Sequence, residues 1–459
     1  MRGLLKRWLT RAPAPLAEAV KVVADLVPAQ WKYGRNYRDA VSFLEMSEHW
    51  DLDMLVAYQE RRLQEVMNHC YTNVPYYREV FHKAGLTPAD IKTAVDLQKL
   101  PFLTKETVRL RKRDFVAAGF SPRKRLVDTT SGTTGTPLDL YVDTATRAME
   151  RAVALRHLLW LGYRKGDRIA ELRGAWFSDP EKICRYFPGS KRLVFSSMRV
   201  DDARLKRTVE ALEGFKPVFI RAYPSALYVL SRWMAKNHRR IAPPRYIVTS
   251  SETLYPWVKE QAAAVFNAPV VDHYGQVEHV ATAFQCSLAQ GYHIQMEQAV
   301  VELVPVGEDG CEIVGTSLTA TGMPFIRYRT GDIAEPGETE CPCGRKHPLI
   351  SKITGRKGEF IVTPERNFVA SMTMDFAFDH LEEIKEGQIV QEDLSTLRVK
   401  LVPWQTISEF TRETLRNRIH AHLGPTNMKV IIEEVQQIPR NSRGKKPFMV
   451  SHLRVEDYV

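Results

Sequence analysis

Between about residue 126 and residue 275, short β-rich runs alternate with amphipathic segments, and that alternation constrains the fold more than any other feature of the chain. Strand candidates lie at 168–172, 218–222, 246–249 and 269–272, with helix candidates such as 203–213 and 256–266 between them. Strand–helix units in this rhythm build a largely parallel sheet covered by helices, an α/β fold whose ligands bind at the C-terminal ends of the strands. Two strand exits carry chemically useful side chains, Ser250-Ser251-Glu252 and His273-Tyr274-Gly275.

The flanking regions read differently. Residues 1–100 show helical periodicity, clearest at Leu55, Val56, Tyr58, Leu63, Val66 and Met67. After Gly355-Arg356-Lys357-Gly358-Glu359 the chain resumes as a mixed unit with a strand at 397–402, a helix at 407–423 and a strand at 429–435. With 459 residues, more than one core is expected. The sequence therefore predicts a large α/β domain over 1–355, with its first 100 residues a helical entry region, and a small α+β domain over 356–459.

Composition narrows the function classes. Hydrophobic residues at 44% and charged residues at 26% describe a globular chain, and no run approaches the roughly 18 apolar residues of a membrane span. The basic, amphipathic start Met1–Arg11 is not followed by a signal-peptide core, so a cytoplasmic location is expected. Six cysteines without an export signal point to free thiols or metal ligands. The net charge of +11 favours polyanionic partners such as ATP or an anionic membrane surface. The basic runs at 109–113 and 123–125 lack interleaved aromatics, and no nucleic-acid partner is expected.

The run Thr130-Ser131-Gly132-Thr133-Thr134-Gly135-Thr136-Pro137 has the makings of a phosphate cradle. Glycines let backbone N–H groups approach an anion closely, and hydroxyls add adjustable donors. Gly135 is followed by Thr136 and Pro137 rather than by Lys-Ser/Thr, so this is not the P-loop pattern, and any cation for the phosphates comes from elsewhere. The alternative is a surface turn.

Further motifs follow in order: Tyr274-Gly275-Gln276-Val277-Glu278, Tyr328-Arg329-Thr330-Gly331-Asp332, Gly355-Arg356, and Gly444-Lys445 after Ile438-Pro439-Arg440. Together with the Thr130 run they resemble the adenylate-forming acyl ligase superfamily, in its phenylacetate-CoA ligase-like branch. Asn73-Val74-Pro75-Tyr76-Tyr77-Arg78 and Leu100-Pro101-Phe102-Leu103-Thr104-Lys105 look like the CapK-like members encoded with capsular polysaccharide biosynthesis. The resemblance spans nearly the whole chain. It implies that a small-molecule carboxylic acid attacks the α-phosphate of ATP, pyrophosphate leaves, and the acyl-adenylate passes its acyl group to coenzyme A. An amine or hydroxyl acceptor, for instance on a glycan precursor, is the alternative, and a catalytically silent zinc-bearing interaction protein is a third reading.

The resemblance also assigns roles. Ser131, Gly132, Thr133, Thr134, Gly135 and Thr136 would hold the β and γ phosphates, and Glu278 would help hold Mg²⁺, a hard cation that takes oxygen ligands. Asp332 and Arg356 would bind the ribose, Tyr274 would flank the adenine with Gly275 also among the nucleotide-binding residues, and Ser250, Ser251 and Glu252 would border the nucleotide and acyl pockets. Lys445 would be the mobile catalytic cation, with adjacent Lys446 and a solvated basic tail as alternatives. Gly358 occupies the hinge position of the small mobile domain. Segments 174–177 and 221–225 line an acid-binding cavity or belong to the core. Cys286, His293, Cys341 and Cys343 match a tetrahedral structural zinc set, against reduced, unliganded thiols; Cys70, Cys184 and Cys311 read as ordinary core residues.

Overall fold

The computed structural model describes residues 14–121, 126–129, 138–173, 177, 179, 181–196, 202–306, 310–338, 340–354, 360–366, 368–370, 374, 376–378, 381, 383–404, 406–424, 426–438 and 448–453. The chain divides into two compact units: Met1–Thr129 with Asp139–Lys165 and Val271–Thr354, and Thr130–Leu138 with Gly166–Val270 and Gly355–Val459.

The first unit begins with the expected helices. Helix Leu52–Asn73 starts where the Asp51 side chain accepts the Met54 N–H at 2.8 Å, a standard N-cap. Its buried residues are Leu55, Gln59, Leu63, Val66, Met67 and Cys70, whereas Val56 is exposed and Tyr58 half-buried. The Asn73-to-Arg78 motif is a helix junction: Pro75 opens the next helix, Pro75–Ala84, because its missing N–H costs nothing in a first turn. Buried Tyr77 then donates its hydroxyl to the Pro324 carbonyl at 3.1 Å and accepts the Ile326 N–H at 2.8 Å. The Leu100-to-Lys105 motif adds to the same region, since Leu103 bonds the backbone of Arg327 and Arg329 on either side of Tyr328. Both N-terminal motifs thus brace the strand that carries Thr330-Gly331-Asp332. Phe115, stacked on Tyr76 at 4.2 Å and edge-on to Phe325, is fully buried in this brace. Truncating such a phenylalanine to alanine costs about 3–5 kcal/mol.

The strands of this unit run in the order Ala299–Pro305, Cys311–Ser317, Tyr328–Pro336, Leu349–Thr354, Tyr292–Ile294, Thr282–Gln285 and Val270–Gly275, all neighbours antiparallel. Apart from Val270–Gly275, which the βα rhythm included, this antiparallel set lies beyond the segment from which the parallel sheet was expected. Gly315 lies where a Cβ would overlap the Val280 carbonyl, so only glycine lets the turn after Glu278 close onto the sheet.

The second unit holds the parallel strands Ile169–Leu172, Arg192–Phe195, Phe219–Ala222 and Tyr246–Ser250, with antiparallel Cys184–Phe187 at one edge. Helices Asp202–Phe215, Pro224–Lys236 and Pro256–Phe266 bury Val209, Leu212, Leu227, Leu230 and Phe266 among the strand residues Ile220 and Ile247. A separate core forms in the C-terminal part of this unit, where Ile389, Leu397, Val399 and Leu401 of a four-stranded sheet meet Leu415 and Ile419 of helix Glu409–Leu423. That helix starts two residues later than the sequence suggests, because Ser408 serves as its N-cap, accepting the Thr411 N–H at 3.2 Å.

Candidate functional site

The first unit brings Tyr274 and Asp332 together although they are far apart in sequence. Strand Val270–Gly275 delivers the tyrosine, and its hydroxyl donates to Asp332 Oδ2 at 2.9 Å, the oxygen that also accepts from Gln276 Nε2 at 3.5 Å. Local chemistry aims the aspartate: Gly331 takes φ +70°, and the Thr330 hydroxyl donates to the Ile313 carbonyl at 2.7 Å while accepting the Asp332 N–H at 3.0 Å. A β-bulge between Glu312 and Val314 lies opposite this turn. Behind Tyr274, buried His157 hydrogen-bonds the Gln285 carbonyl through Nε2 at 2.9 Å and His273 through Nδ1 at 3.1 Å. Since a carbonyl only accepts, His157 carries its proton on Nε2. Phe284 stacks on both imidazoles, so the residue preceding Tyr274 is held by a ring stack as well.

Glu278 accepts the Tyr328 hydroxyl at 3.0 Å and lines a small concavity with Asp143, Thr146, His279 and Phe325. His279 takes φ +56°, an uncommon conformation for a side-chain-bearing residue. It turns the chain straight after the carboxylate. Tyr328 and Gln276 sit inside the quoted motifs, yet nothing in the sequence gave either a role. Only pairing across the sheet shows that they position Glu278 and Asp332.

In the second unit, Ser250 ends its strand and Ser251 follows at φ +75°. Glu252 then accepts two hydrogen bonds at 2.9 Å, from the backbone N–H and the hydroxyl of Ser225 in the first turn of helix Pro224–Lys236. The residue keeps partial exposure, but its carboxyl is enclosed, and burial raises it to about 7 against the lowering effect of those bonds. Arg221 and Arg192 each donate at 3.1 Å to Glu171, so the sequence-predicted Arg221 is held in an ion pair. Phe177 is buried, and 174–176 lie outside the described residues.

The remaining nucleotide-motif assignments, Ser131 to Thr136, Arg356, Gly358 and Lys445, also lie outside the described residues. Strands Leu126–Thr129 and Asp139–Val142 pair antiparallel, with Thr129 opposite Asp139.

Cys286, His293, Cys341 and Cys343 converge in the first unit, with ligand atoms all within 4.8 Å of one another. Cys286 and Cys341 Sγ are 3.7 Å apart and Cys343 Sγ is 3.5 Å from His293 Nε2. Zinc bonds of about 2.3 Å to sulfur and about 2.05 Å to nitrogen give tetrahedral edges of about 3.8 and about 3.6 Å, so the donor set fits zinc. All three thiols are free. Burial, reinforced by nearby His347 and Arg345, lowers His293 to about 4, and burial raises Cys341 to about 12. At Cys343 burial acts upward, but hydrogen bonds from Arg345, Cys341 and Cys286 outweigh it and lower the thiol.

Beside the cluster, Trp160 meets the His293 ring edge-on at 5.4 Å, and the Arg345 guanidinium lies 4.1 Å over the indole. Below it, fully buried Glu297 accepts from Ser47 at 2.6 Å, Arg156 at 2.8 Å and His347 at 3.2 Å. Burial alone would raise this carboxyl, but His347, Arg156 and Ser47 hold it well below its ordinary range. Among the other cysteines, Cys70 is buried as expected, while Cys184 and Cys311 are half-buried.

A family model described as the CapK C-terminal domain matches residues 361–452. Protein CapK of Staphylococcus aureus is 24% identical over 439 residues, covering 92% of this chain and 94% of that protein. Phenylacetate-coenzyme A ligases of Aromatoleum evansii and Thermus thermophilus are 27% and 26% identical, covering 88% and 86% of this chain and 95% of each relative. The structure of 2-hydroxyisobutyryl-CoA ligase in complex with 2-HIB-AMP and CoA aligns with a TM-score of 0.60 at 21% identity, over 89% of this chain and 92% of that one. Agreement at that identity establishes a common fold. The chain is a homologue of CapK and of the phenylacetate-coenzyme A ligases, built on the fold of the adenylate-forming acyl ligases.

Proposed function

We propose that this protein is an ATP-dependent acid–thiol ligase, which activates a small carboxylic acid as its acyl-adenylate with release of pyrophosphate and then transfers the acyl group to coenzyme A. The observation that carries this reading is its relationship to phenylacetate-coenzyme A ligases along at least 86% of the chain. The paired contacts Tyr274–Asp332 and Tyr328–Glu278 support it, since each orients a carboxylate that this reading gives to the nucleotide or its cation.

The first step brings two anions together, so positioning and charge neutralisation dominate its catalysis. Ser131, Gly132, Thr133, Thr134, Gly135 and Thr136 would bind the outer phosphates, and Lys445 would contact both the attacking carboxylate and the α-phosphate. Asp332 and Arg356 take the ribose, Tyr274 the adenine with Gly275 also at the nucleotide, and Ser251 and Glu252 the border between nucleotide and acyl group. Glu278 would hold Mg²⁺, which supplies charge neutralisation at the phosphates; one carboxylate suffices, because Mg²⁺ keeps several waters. Gly358 is the proposed hinge between a large domain, 1–355, and a mobile one, 356–459, that exchanges Lys445 for the coenzyme A channel. Cys286, His293, Cys341 and Cys343 would bind a structural zinc, since four protein ligands leave no open position. A dependence on ATP and coenzyme A assigns the reaction to the cytoplasm.

The test is pyrophosphate release across a panel of carboxylic acids, with and without coenzyme A. Acid-dependent release followed by acyl-CoA formation is expected. Release with accumulation of adenylate, and acyl transfer only to added amines or alcohols, would replace coenzyme A by an amine or hydroxyl acceptor. No release with any acid, together with no thermal stabilisation by ATP and Mg²⁺, would refute the ligase reading.

A further inference from the structure

We propose that the N-terminal segment around residues 20–38 is a docking surface for an anionic lipid membrane. Leu26, Val27, Pro28, Ala29, Gln30 and Trp31 are six consecutive exposed residues, and Val23, Leu26 and Trp31 are 65%, 58% and 69% exposed. The short helix Ala29–Lys32 buries no residue. Large apolar side chains so displayed in sequence are uncommon on a soluble surface and mark an interaction site.

The segment is nevertheless firmly seated. Helix Arg35–Ser47 packs Ala40 and Leu44 against Ala152, Val153 and Trp160, and the ring of Tyr33 carries the Arg151 guanidinium at 4.9 Å. One side of the element is thus fixed to the first unit while Leu26 to Trp31 face outward from it.

Charge identifies the partner. Residues 20–38 contain four Lys and Arg, at 21, 32, 35 and 38, against one acidic residue, Asp25, so the surface itself carries a net positive charge. Exposed Lys21, Arg35 and Arg38 flank the apolar run, Arg35 also pairing with Asp39 at 3.3 Å. Tryptophan and leucine bordered by basic residues suit the headgroup boundary, where the rings and alkyl chains enter and the cations meet anionic lipid. Helix Ala14–Asp25, at 12 residues, is too short to cross a bilayer, and among the described residues no helix is long and apolar enough to do so. The segment therefore lies along the surface. A second copy of this chain would place two basic segments face to face.

The experiment is co-sedimentation of the full chain with vesicles of phosphatidylglycerol and phosphatidylcholine against vesicles of phosphatidylcholine alone. The protein should pellet with the anionic vesicles at 0.1 M salt and release at least about tenfold at 0.5 M, as screening predicts. Lys21→Glu with Arg38→Glu should lower low-salt binding about tenfold or more. Leu26→Ser with Trp31→Ser should weaken binding at both salt concentrations by about tenfold or more. All variants should keep the parent melting temperature and rate of pyrophosphate release, which separates docking from folding. No pelleting at 0.1 M salt, binding indifferent to Leu26→Ser with Trp31→Ser, or a dimer in solution that those substitutions dissolve would each overturn the proposal.

Discussion

Replacing Cys341 by serine tests the metal reading most directly. Serine keeps the size of the side chain but is a far weaker zinc ligand, so the variant should lose most of its metal. The consequence for stability follows from topology. Cys286 and Cys341 are 55 residues apart in sequence, and a metal held by both acts as a cross-link between them. The chain-entropy relation for a cross-link of that span gives about 4 kcal/mol, and a unit of this size shifts by about 2–4 °C per kcal/mol. The melting temperature should therefore fall by about 8–16 °C. Elemental analysis of protein purified without chelator should find about one zinc per chain in the parent and well below that in the variant. Cys311→Ser, outside the cluster, is the control and should change neither. A metal-free parent, or a Cys341→Ser variant with unchanged melting temperature, would rule out a structural zinc and return the four residues to the status of packed thiols and an imidazole.

Asp332→Asn removes the ionised acceptor proposed for the ribose and should raise KM for ATP by about 10- to 100-fold with a smaller effect on kcat; an unchanged KM places the ribose elsewhere. Lys445→Ala should slow adenylate formation by about 10²- to 10³-fold while ATP still stabilises the protein against heat, and normal pyrophosphate release would remove this lysine from the mechanism. Gly358→Pro should slow transfer to coenzyme A more than adenylate formation, and equal loss in both half-reactions would locate the hinge elsewhere. Glu252 is raised in the folded protein, to about 7, so the native state binds more protons than the unfolded one and its stabilising effect, full below about pH 4.5, is lost as pH rises through 7. The difference between 4.5 and about 7 corresponds to at most about 3–4 kcal/mol, and Glu252→Gln should flatten this part of the pH dependence of melting; an unchanged slope would assign it to other groups.

The parallel strands and their helices were legible because each is a local pattern: helix Pro256–Phe266 begins at a proline and ends at Asn267, which adopts the left-handed conformation. The C-terminal strand–helix–strand succession was legible for the same reason. The antiparallel strands from 276 onward were not, since their partners are set by long-range pairing, and short strands such as Tyr292–Ile294 carry too few residues to show alternation. At the candidate site the candidate residues could be read one by one, because a carboxylate or thiol in a motif advertises its chemistry. Their supports could not. Ser225 beneath Glu252 looks like any serine after a proline, and Arg156, Glu297 and His347 are fully enclosed polar groups whose mutual hydrogen bonds exist only in three dimensions.

Both carboxylates assigned to the nucleotide already hold a phenolic hydroxyl, Asp332 from Tyr274 and Glu278 from Tyr328. An ionised carboxylate has about four lone-pair positions. Asp332 can therefore keep the tyrosine and still accept both ribose hydroxyls, and Glu278 can keep Tyr328 while turning an oxygen to a cation. The phenols act as fixed orienting donors, so the carboxylates need not reorganise when the nucleotide arrives. That is the economy expected where catalysis depends on preorganised charge. It also ties two subsites to one side chain: on the proposed reading the ring of Tyr274 flanks the adenine while its hydroxyl aims the ribose acceptor. The strand exit at 274 and the bulged turn at 331 must therefore keep their mutual register, which explains why Tyr77 and Leu103, each far from both in sequence, are spent on bracing the backbone around Tyr328.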